Sequence, residues 1–83
     1  MDKSNNEYRN EILKEECGSG WKIKKEKGGG GLVLKKTKTI ILGENACFPM
    51  FLHEIAHIKS RQGHTGYFAD VFTALVDKYM KIN

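Results

Sequence analysis

A five-residue stretch near the middle of the chain carries the side chains best suited to chemistry. It reads His53-Glu54-Ile55-Ala56-His57, an HExxH motif. On an α-helix, positions four residues apart lie about 40° from each other, so both imidazoles can reach one metal ion. Glu54 lies about 100° from His53, so it flanks the ion without having to bind it. Because imidazole binds zinc and a catalytic zinc keeps one position for water, the motif predicts zinc held by His53 and His57, with Glu54 as general base.

A zinc peptidase site needs a third protein ligand, and three candidates follow the motif. His64 lies seven residues after His57, in a glycine-flanked loop that can turn back toward the motif. Asp70 and Asp77 fall on the polar face of the last predicted helix, where solvated carboxylates are common. Imidazole is the better zinc donor, so we predict His64 as the third ligand, with the two aspartates as alternatives.

The motif needs a rigid helix to position it. The helical pattern runs from about Asn45 or Ala46 to Ser60, with Asn45 suited to the N-cap and Pro49 tolerated in the first turn. Large apolar side chains lie on the side roughly opposite the two histidines: Phe48, Phe51, Leu52, Ile55 and Ile58. The helix is therefore expected to bury one face and to turn the histidines toward another surface.

The rest of the chain predicts one α+β domain over residues 1–83, because 83 residues cannot supply two cores. The run Gly28–Gly31 predicts a hairpin loop after the first strand. The sheet is expected to be small and antiparallel, with two or three strands. The other predicted elements are an N-terminal helix over residues 4–17, strand runs at Trp21–Lys24, Leu32–Leu34 and Thr39–Leu42, and a C-terminal helix from about Tyr67 to Lys81.

The charge is concentrated in one segment. The net charge is +4, and seven of the 14 basic residues are lysines between Lys22 and Lys38. Such a run usually forms a solvated face. The alternative is a weak nucleic-acid contact, in which lysines neutralise phosphates and Trp21 stacks on a base.

The sequence also indicates where the protein is located and how its two cysteine thiols behave. The chain has no apolar run long enough to span a bilayer, and its first residues do not form a signal peptide, so we expect a cytoplasmic protein without membrane contact. Cys17 and Cys47 form no CxxC pair and are expected to stay reduced. A less favoured alternative has Cys17 folding back onto the metal as a latency switch.

Residues 39 to 80 resemble the zincin superfamily of zinc metallopeptidases. Thr39–Leu42 is similar to the edge strand that pairs with extended substrate in zincins, and Leu52–His57 is similar to the active-site helix that follows it. His64–Phe68 is similar to the HxxxF element of SprT-like and WLM-like metallopeptidases. That resemblance implies His64 as the third zinc ligand and Phe68 as the anchor of the next helix. The HExxHxxGxxH spacing of metzincins is absent.

Two other zincin groups resemble the chain in part. Its small size is similar to that of the minigluzincins, which would imply Asp70 or Asp77 as the third ligand. The segment from Gly31 to His57 also resembles the ImmA/IrrE-like family, although the downstream acidic signature of that family is not evident.

Three functional hypotheses follow. The first is a zinc-dependent endopeptidase that cleaves an extended peptide or protein substrate, with Glu54 activating water. The second is a regulatory or structural zinc domain that binds a partner without catalysis. The chain offers no large second subdomain to wall the cleft, and it marks no residue beyond Tyr67 to stabilise a transition state. The same shortage would also fit catalysis that needs an added partner or dimer. The third is a basic nucleic-acid-binding module in which the HExxH motif is coincidental.

Overall fold

The computed structural model describes residues 6–28, 30–61 and 63–80 of the chain. Within these ranges three helices and a three-stranded sheet form an α+β fold, which confirms the predicted class. The predicted helix start at residue 4 and helix end at Lys81 lie outside the described residues. The elements in chain order are α1 (Asn6–Cys17), β1 (Lys22–Glu26), β2 (Gly31–Leu34), β3 (Thr39–Gly43), α2 (Phe48–Ser60) and α3 (Gly66–Met80).

The sheet is mixed, which corrects the prediction of an antiparallel sheet. The strand order is β1-β3-β2, with β1 parallel and β2 antiparallel to β3. The glycine run is therefore not a hairpin loop, because β1 and β2 are not neighbours. The hairpin is instead the one between β2 and β3, where the turn spans residues 35–38 and the Lys38 N–H donates to the Lys35 carbonyl over 3.3 Å.

The position of β3 corrects a second expectation. Thr39–Leu42 lies in the central strand, so it cannot be an edge strand that pairs with a substrate. The burial of β3 explains its place, since Ile40 and Leu42 are buried and even Thr39 is largely covered. The lysine-rich β1 and the exposed β2 lie at the edges, where charged or short strands are tolerated.

Helix α2 occupies the centre of the core and packs against α1, α3 and β2. Its face of large apolar residues is buried as predicted, apart from Ile58, which is half-buried. The other elements complete this core with the buried side chains Ile12, Leu13, Ile40, Leu42, Phe68 and Leu75. The two motif histidines consequently lie on the side of α2 that faces away from the core centre.

The start of α2 differs from the prediction for a simple reason. With Asn45 as N-cap, the first helical hydrogen bond would have to come from position 49, where proline has no N–H. The helix instead has Cys47 as N-cap, whose carbonyl accepts from the Phe51 N–H over 3.2 Å, and Pro49 fits in the first turn. At the other end Arg61 takes the left-handed conformation with φ 58°.

A buried carboxylate ties α1 to the helices that carry the site. Glu16 accepts hydrogen bonds from Lys59 of α2 over 2.6 Å, from Lys78 of α3 over 2.8 Å, and from the Tyr79 hydroxyl. Burial alone would raise the pKa of Glu16, but these three hydrogen bonds lower it to about 2. The carboxylate therefore stays ionised at neutral pH and links all three helices.

Candidate metal centre

Three histidine side chains converge on one point beside α2. The Nε2 atom of His53 lies 3.0 Å from that of His57 and 3.1 Å from that of His64. One ring nitrogen of each histidine lies within 4.8 Å of the other two. Two nitrogens bound to a tetrahedral zinc at about 2.05 Å would be about 3.3 Å apart. The two spacings from His53 are close to that value, so the donor set suits a zinc ion.

Local structure explains why the third histidine reaches the other two. His53 and His57 are one turn apart on α2, whereas His64 lies in the loop that precedes α3. The next residue, Thr65, caps α3 because its Oγ1 accepts a hydrogen bond from the Phe68 N–H over 3.2 Å. This cap fixes the backbone directly beside His64. Sequence reasoning missed Thr65, although a threonine just before a helix is a common start signal.

Phe68 forms an apolar floor beneath the histidines. Its ring centroid lies 5.0 Å from that of His53, 4.4 Å from that of His57 and 5.1 Å from that of His64. The side chain is only 5% exposed, and Phe72 stacks on it at 6.0 Å. Packing against one buried ring limits the rotation of all three imidazoles, so the ligand set is held in place by the first turn of α3.

Burial affects the ionisation of His53 and of Glu54, which follow one another in the motif. Burial lowers the pKa of His53, and the nearby His57 and His64 lower it further. His53 is therefore held in the neutral form that binds metals. Glu54 is 6% exposed, and burial raises the pKa of its carboxyl group despite the opposing charges of His57 and His64. A carboxylate with a raised pKa is a stronger base than an exposed one.

Glu54 packs directly against the backbone of β2. A methyl group placed on Gly31 would lie 3.0 Å from Glu54 Oε2 and 3.1 Å from its Cδ and Cγ atoms. A side chain at this position would require the carboxylate to shift by a few tenths of an ångström. Sequence reasoning treated Gly31 as part of a flexible loop, because the contact between β2 and α2 joins residues far apart in the chain.

The other sequence candidates lie elsewhere. Among the residues that the structure describes, the three histidines are the one group of three or more side chains able to share a metal. Asp70 and Asp77 are exposed on α3 and do not belong to that group. Tyr67 is 55% exposed and does not line the cleft. Cys17 lines a different cavity, and burial raises its pKa to about 11, so its thiol stays protonated.

The histidines open into a cleft of about 580 Å³ that has β2 as one wall. Gly31, Leu32 and Val33 line this wall, and Lys35 and Arg61 also line the cleft. Within the described part of the chain, β2 pairs on one side only, and its Leu32 and Leu34 side chains are 54% and 39% exposed. An unpaired strand edge therefore runs beside the histidines and Glu54.

The chain was compared with protein-family models, with curated proteins and with solved structures, and none of the three comparisons found a match. Among the described residues, no helix combines the length and the apolar character that crossing a membrane requires. The site itself offers three imidazole donors, a buried carboxylate beside them, and an open cleft along a strand edge.

Proposed function

We propose that the protein is a zinc-dependent metallopeptidase of the zincin type that hydrolyses a peptide bond in an extended substrate. The observation that carries this proposal is the convergence of three histidine ring nitrogens beside the buried carboxylate of Glu54. The open cleft and the strand edge beside them supply room for a chain to lie across the site.

Each residue has a distinct part in the proposed reaction. His53, His57 and His64 would hold a zinc ion, with Phe68 behind them to keep their rings oriented. A zinc ion bound there would supply an acidified water molecule and a polarised substrate carbonyl. Glu54 accepts the proton of the attacking water and then donates it to the nitrogen of the leaving amine. The raised pKa of Glu54 favours the first transfer, because a carboxylate of higher pKa takes up a proton more readily.

The edge of β2 is proposed to bind the substrate backbone. An extended peptide can add to an unpaired edge strand through main-chain hydrogen bonds. Such a peptide would lie across the cleft next to Gly31 and Leu32, which places a peptide carbonyl close to the histidine group. The exposed side chains of Leu32 and Leu34 would then be covered by substrate.

A second candidate is a zinc domain that binds a partner and does not catalyse. The exposure of Tyr67 outside the cleft favours it, because no tyrosine then stands ready to stabilise the transition state. Both candidates place zinc on the same three histidines. They differ in whether the peptide lying along β2 is cut.

Metal removal tests the proposed activity. The zinc-loaded protein is expected to cleave an unstructured fluorogenic peptide, to lose that activity on chelation, and to regain it when zinc is added back. Mass spectrometry of the products would identify the bond that is cut. Cleavage that persists in chelated protein with no residual zinc would contradict the proposal. Zinc binding without cleavage of any peptide in a broad library would support the second candidate.

The packing of Gly31 against Glu54 gives a second prediction. Gly31→Ala places a methyl group within 3.0 Å of Glu54 Oε2, so the carboxylate must move by a few tenths of an ångström. We expect kcat to fall about 10-fold, since small displacements of catalytic groups are costly, while zinc content stays unchanged. The matched control is Gly30→Ala, whose added methyl group meets no described atom within 4 Å. Equal kcat values for the two variants would show that the contact does not position Glu54.

A further inference from the structure

A second cavity, of about 540 Å³, lies beside the cleft and is rich in positive charge. We call it the basic pocket. It lies where the start of the sheet, the β2–β3 turn and the C-terminal end of α2 come together. Its lining residues are Glu16, Cys17, Trp21, Lys35, Lys38, Ile58, Lys59 and Arg61.

The positive charge of the basic pocket is only partly neutralised. Its one carboxylate, Glu16, is already bound to Lys59 and to Lys78. Within the described ranges, no carboxylate lies within 4.0 Å of the charged groups of the other three cations, Lys35, Lys38 and Arg61. Three such cations, all of them exposed, attract an anionic group through an interaction that salt screens.

Two residues connect the basic pocket to the cleft. Lys35 and Arg61 line both cavities. Lys35 directly follows β2, and Arg61 ends α2 one turn after His57, with its backbone N–H donating to the His57 carbonyl over 3.0 Å. At about 3.3 Å per residue, the four steps from Gly31 to Lys35 cover about 13 Å. A peptide lying along β2 therefore reaches the basic pocket about four residues from the point where it passes Glu54.

We infer that the basic pocket selects peptide substrates that carry an acidic side chain about four residues from the bond that is cut. This inference rests on the proposed peptidase function and names its substrate class. The carboxylate would lie among Lys35, Lys38 and Arg61, and the apolar surfaces of Trp21 and Ile58 would contact the stem of the same side chain. Two lysines of the basic segment seen in the sequence, Lys35 and Lys38, then serve substrate selection.

The observations favour a peptide over a nucleic acid as the occupant. Of the seven lysines between Lys22 and Lys38, only Lys35 and Lys38 line the basic pocket. The pocket shares Lys35 and Arg61 with a cleft whose wall is a strand edge, and a strand edge binds an extended peptide through its backbone. A phosphate backbone offers no such pairing.

Trp21 gives a direct readout, because it is the only tryptophan in the chain and it lines the basic pocket. The full chain carrying Glu54→Gln, loaded with zinc, would be titrated with two peptides while the Trp21 fluorescence is followed. One peptide has Glu at the fourth position on each side of the central bond, and the other has Gln there. We expect at least 10-fold tighter binding of the Glu peptide at low salt, with the difference shrinking in 0.5 M salt.

Matched double variants test which lysines are responsible. Lys35→Gln with Lys38→Gln is expected to abolish the preference for the Glu peptide. Lys24→Gln with Lys25→Gln makes the same change in charge on β1, outside the pocket lining, and is expected to preserve it. If both double variants lose the preference to the same degree, the inference is overturned, because the preference for the Glu peptide would then reflect net charge alone.

The outcomes separate this inference from the proposed function. Cleavage of the Gln peptide by wild-type protein measures the peptidase activity, whereas the titration measures the basic pocket without any cleavage. A preference for the Glu peptide with no cleavage of either would support the pocket and contradict the peptidase. Cleavage of both peptides with equal affinity would overturn the inference alone. A Trp21 response to oligothymidylate, with none to the Glu peptide, would also overturn it and assign the pocket to nucleic acid.

Discussion

Glu54→Gln is expected to lower kcat for peptide cleavage by about 10²- to 10⁴-fold, the usual contribution of a general acid–base group. The glutamine side chain has nearly the same shape, so it can keep the packing against Gly31 that the carboxylate makes. It cannot accept a proton from water. Because Glu54 flanks the three histidines and does not belong to the ligand group, bound zinc is expected to remain at the wild-type level.

The matched control for this experiment is Glu44→Gln. Glu44 is exposed in the turn that precedes α2, so the same chemical change there is expected to leave kcat unchanged. Zinc content, thermal unfolding and kcat would be measured for both variants and for the wild type. A Glu54→Gln protein that binds zinc and cleaves at the wild-type rate would remove the general base from the proposed reaction.

His64→Ala is expected to weaken zinc binding by more than about 100-fold, because loss of a supporting contact alone costs 10- to 100-fold. His64 is exposed, so its removal is expected to leave the stability of the metal-free protein nearly unchanged. The matched control is Asp70→Ala, which removes an exposed polar side chain from the neighbouring helix outside the histidine group.

Thermal unfolding gives a simple measurement of this second prediction. A ligand present at 100 times its Kd stabilises a folded protein by about 2.7 kcal/mol, and a small domain then melts several degrees higher. At that zinc concentration the wild type and Asp70→Ala are expected to show the shift, and His64→Ala to lose most of it. A shift that survives in His64→Ala and disappears in Asp70→Ala or Asp77→Ala would move the third ligand to an aspartate.

The parts of the structure that depend on local pattern were predictable from sequence. The spacing of His53 and His57 and the apolar face opposite them define α2, and the structure buries that face as expected. The glycine-flanked position of His64 indicated that it could turn back, and its ring nitrogen lies 3.1 Å from that of His53. These features depend on helical periodicity and on short loops, which a sequence displays directly.

The sheet topology was not predictable in the same way. The parallel pairing of β1 with β3 joins Lys22 to Thr39. Because β2 lies between these two strands in the sequence, no turn signal marks their pairing. Four glycines suggested a hairpin, whereas the hairpin turn is formed by residues 35–38. The start of α2 at Phe48 could have been predicted, because Pro49 cannot donate to Asn45.

The parts of the site that the sequence did not predict also depend on the sheet topology. Gly31 contacts Glu54, and Lys35 joins the cleft to the basic pocket, only because β2 packs beside α2. Neither residue type nor spacing marks these contacts in the sequence. They depend on which strand edge lies next to the HExxH helix, and the prediction had assigned that place to Thr39–Leu42.

His53, His57 and His64 are expected to bind one zinc ion together. X-ray absorption spectroscopy at the zinc edge, with metal analysis of the metal-replete protein, measures this coordination. We expect one zinc per chain with three nitrogen neighbours at about 2.0–2.1 Å, falling to two in His64→Ala. A protein that retains no zinc, or a zinc with a sulfur neighbour at about 2.3 Å, would contradict it.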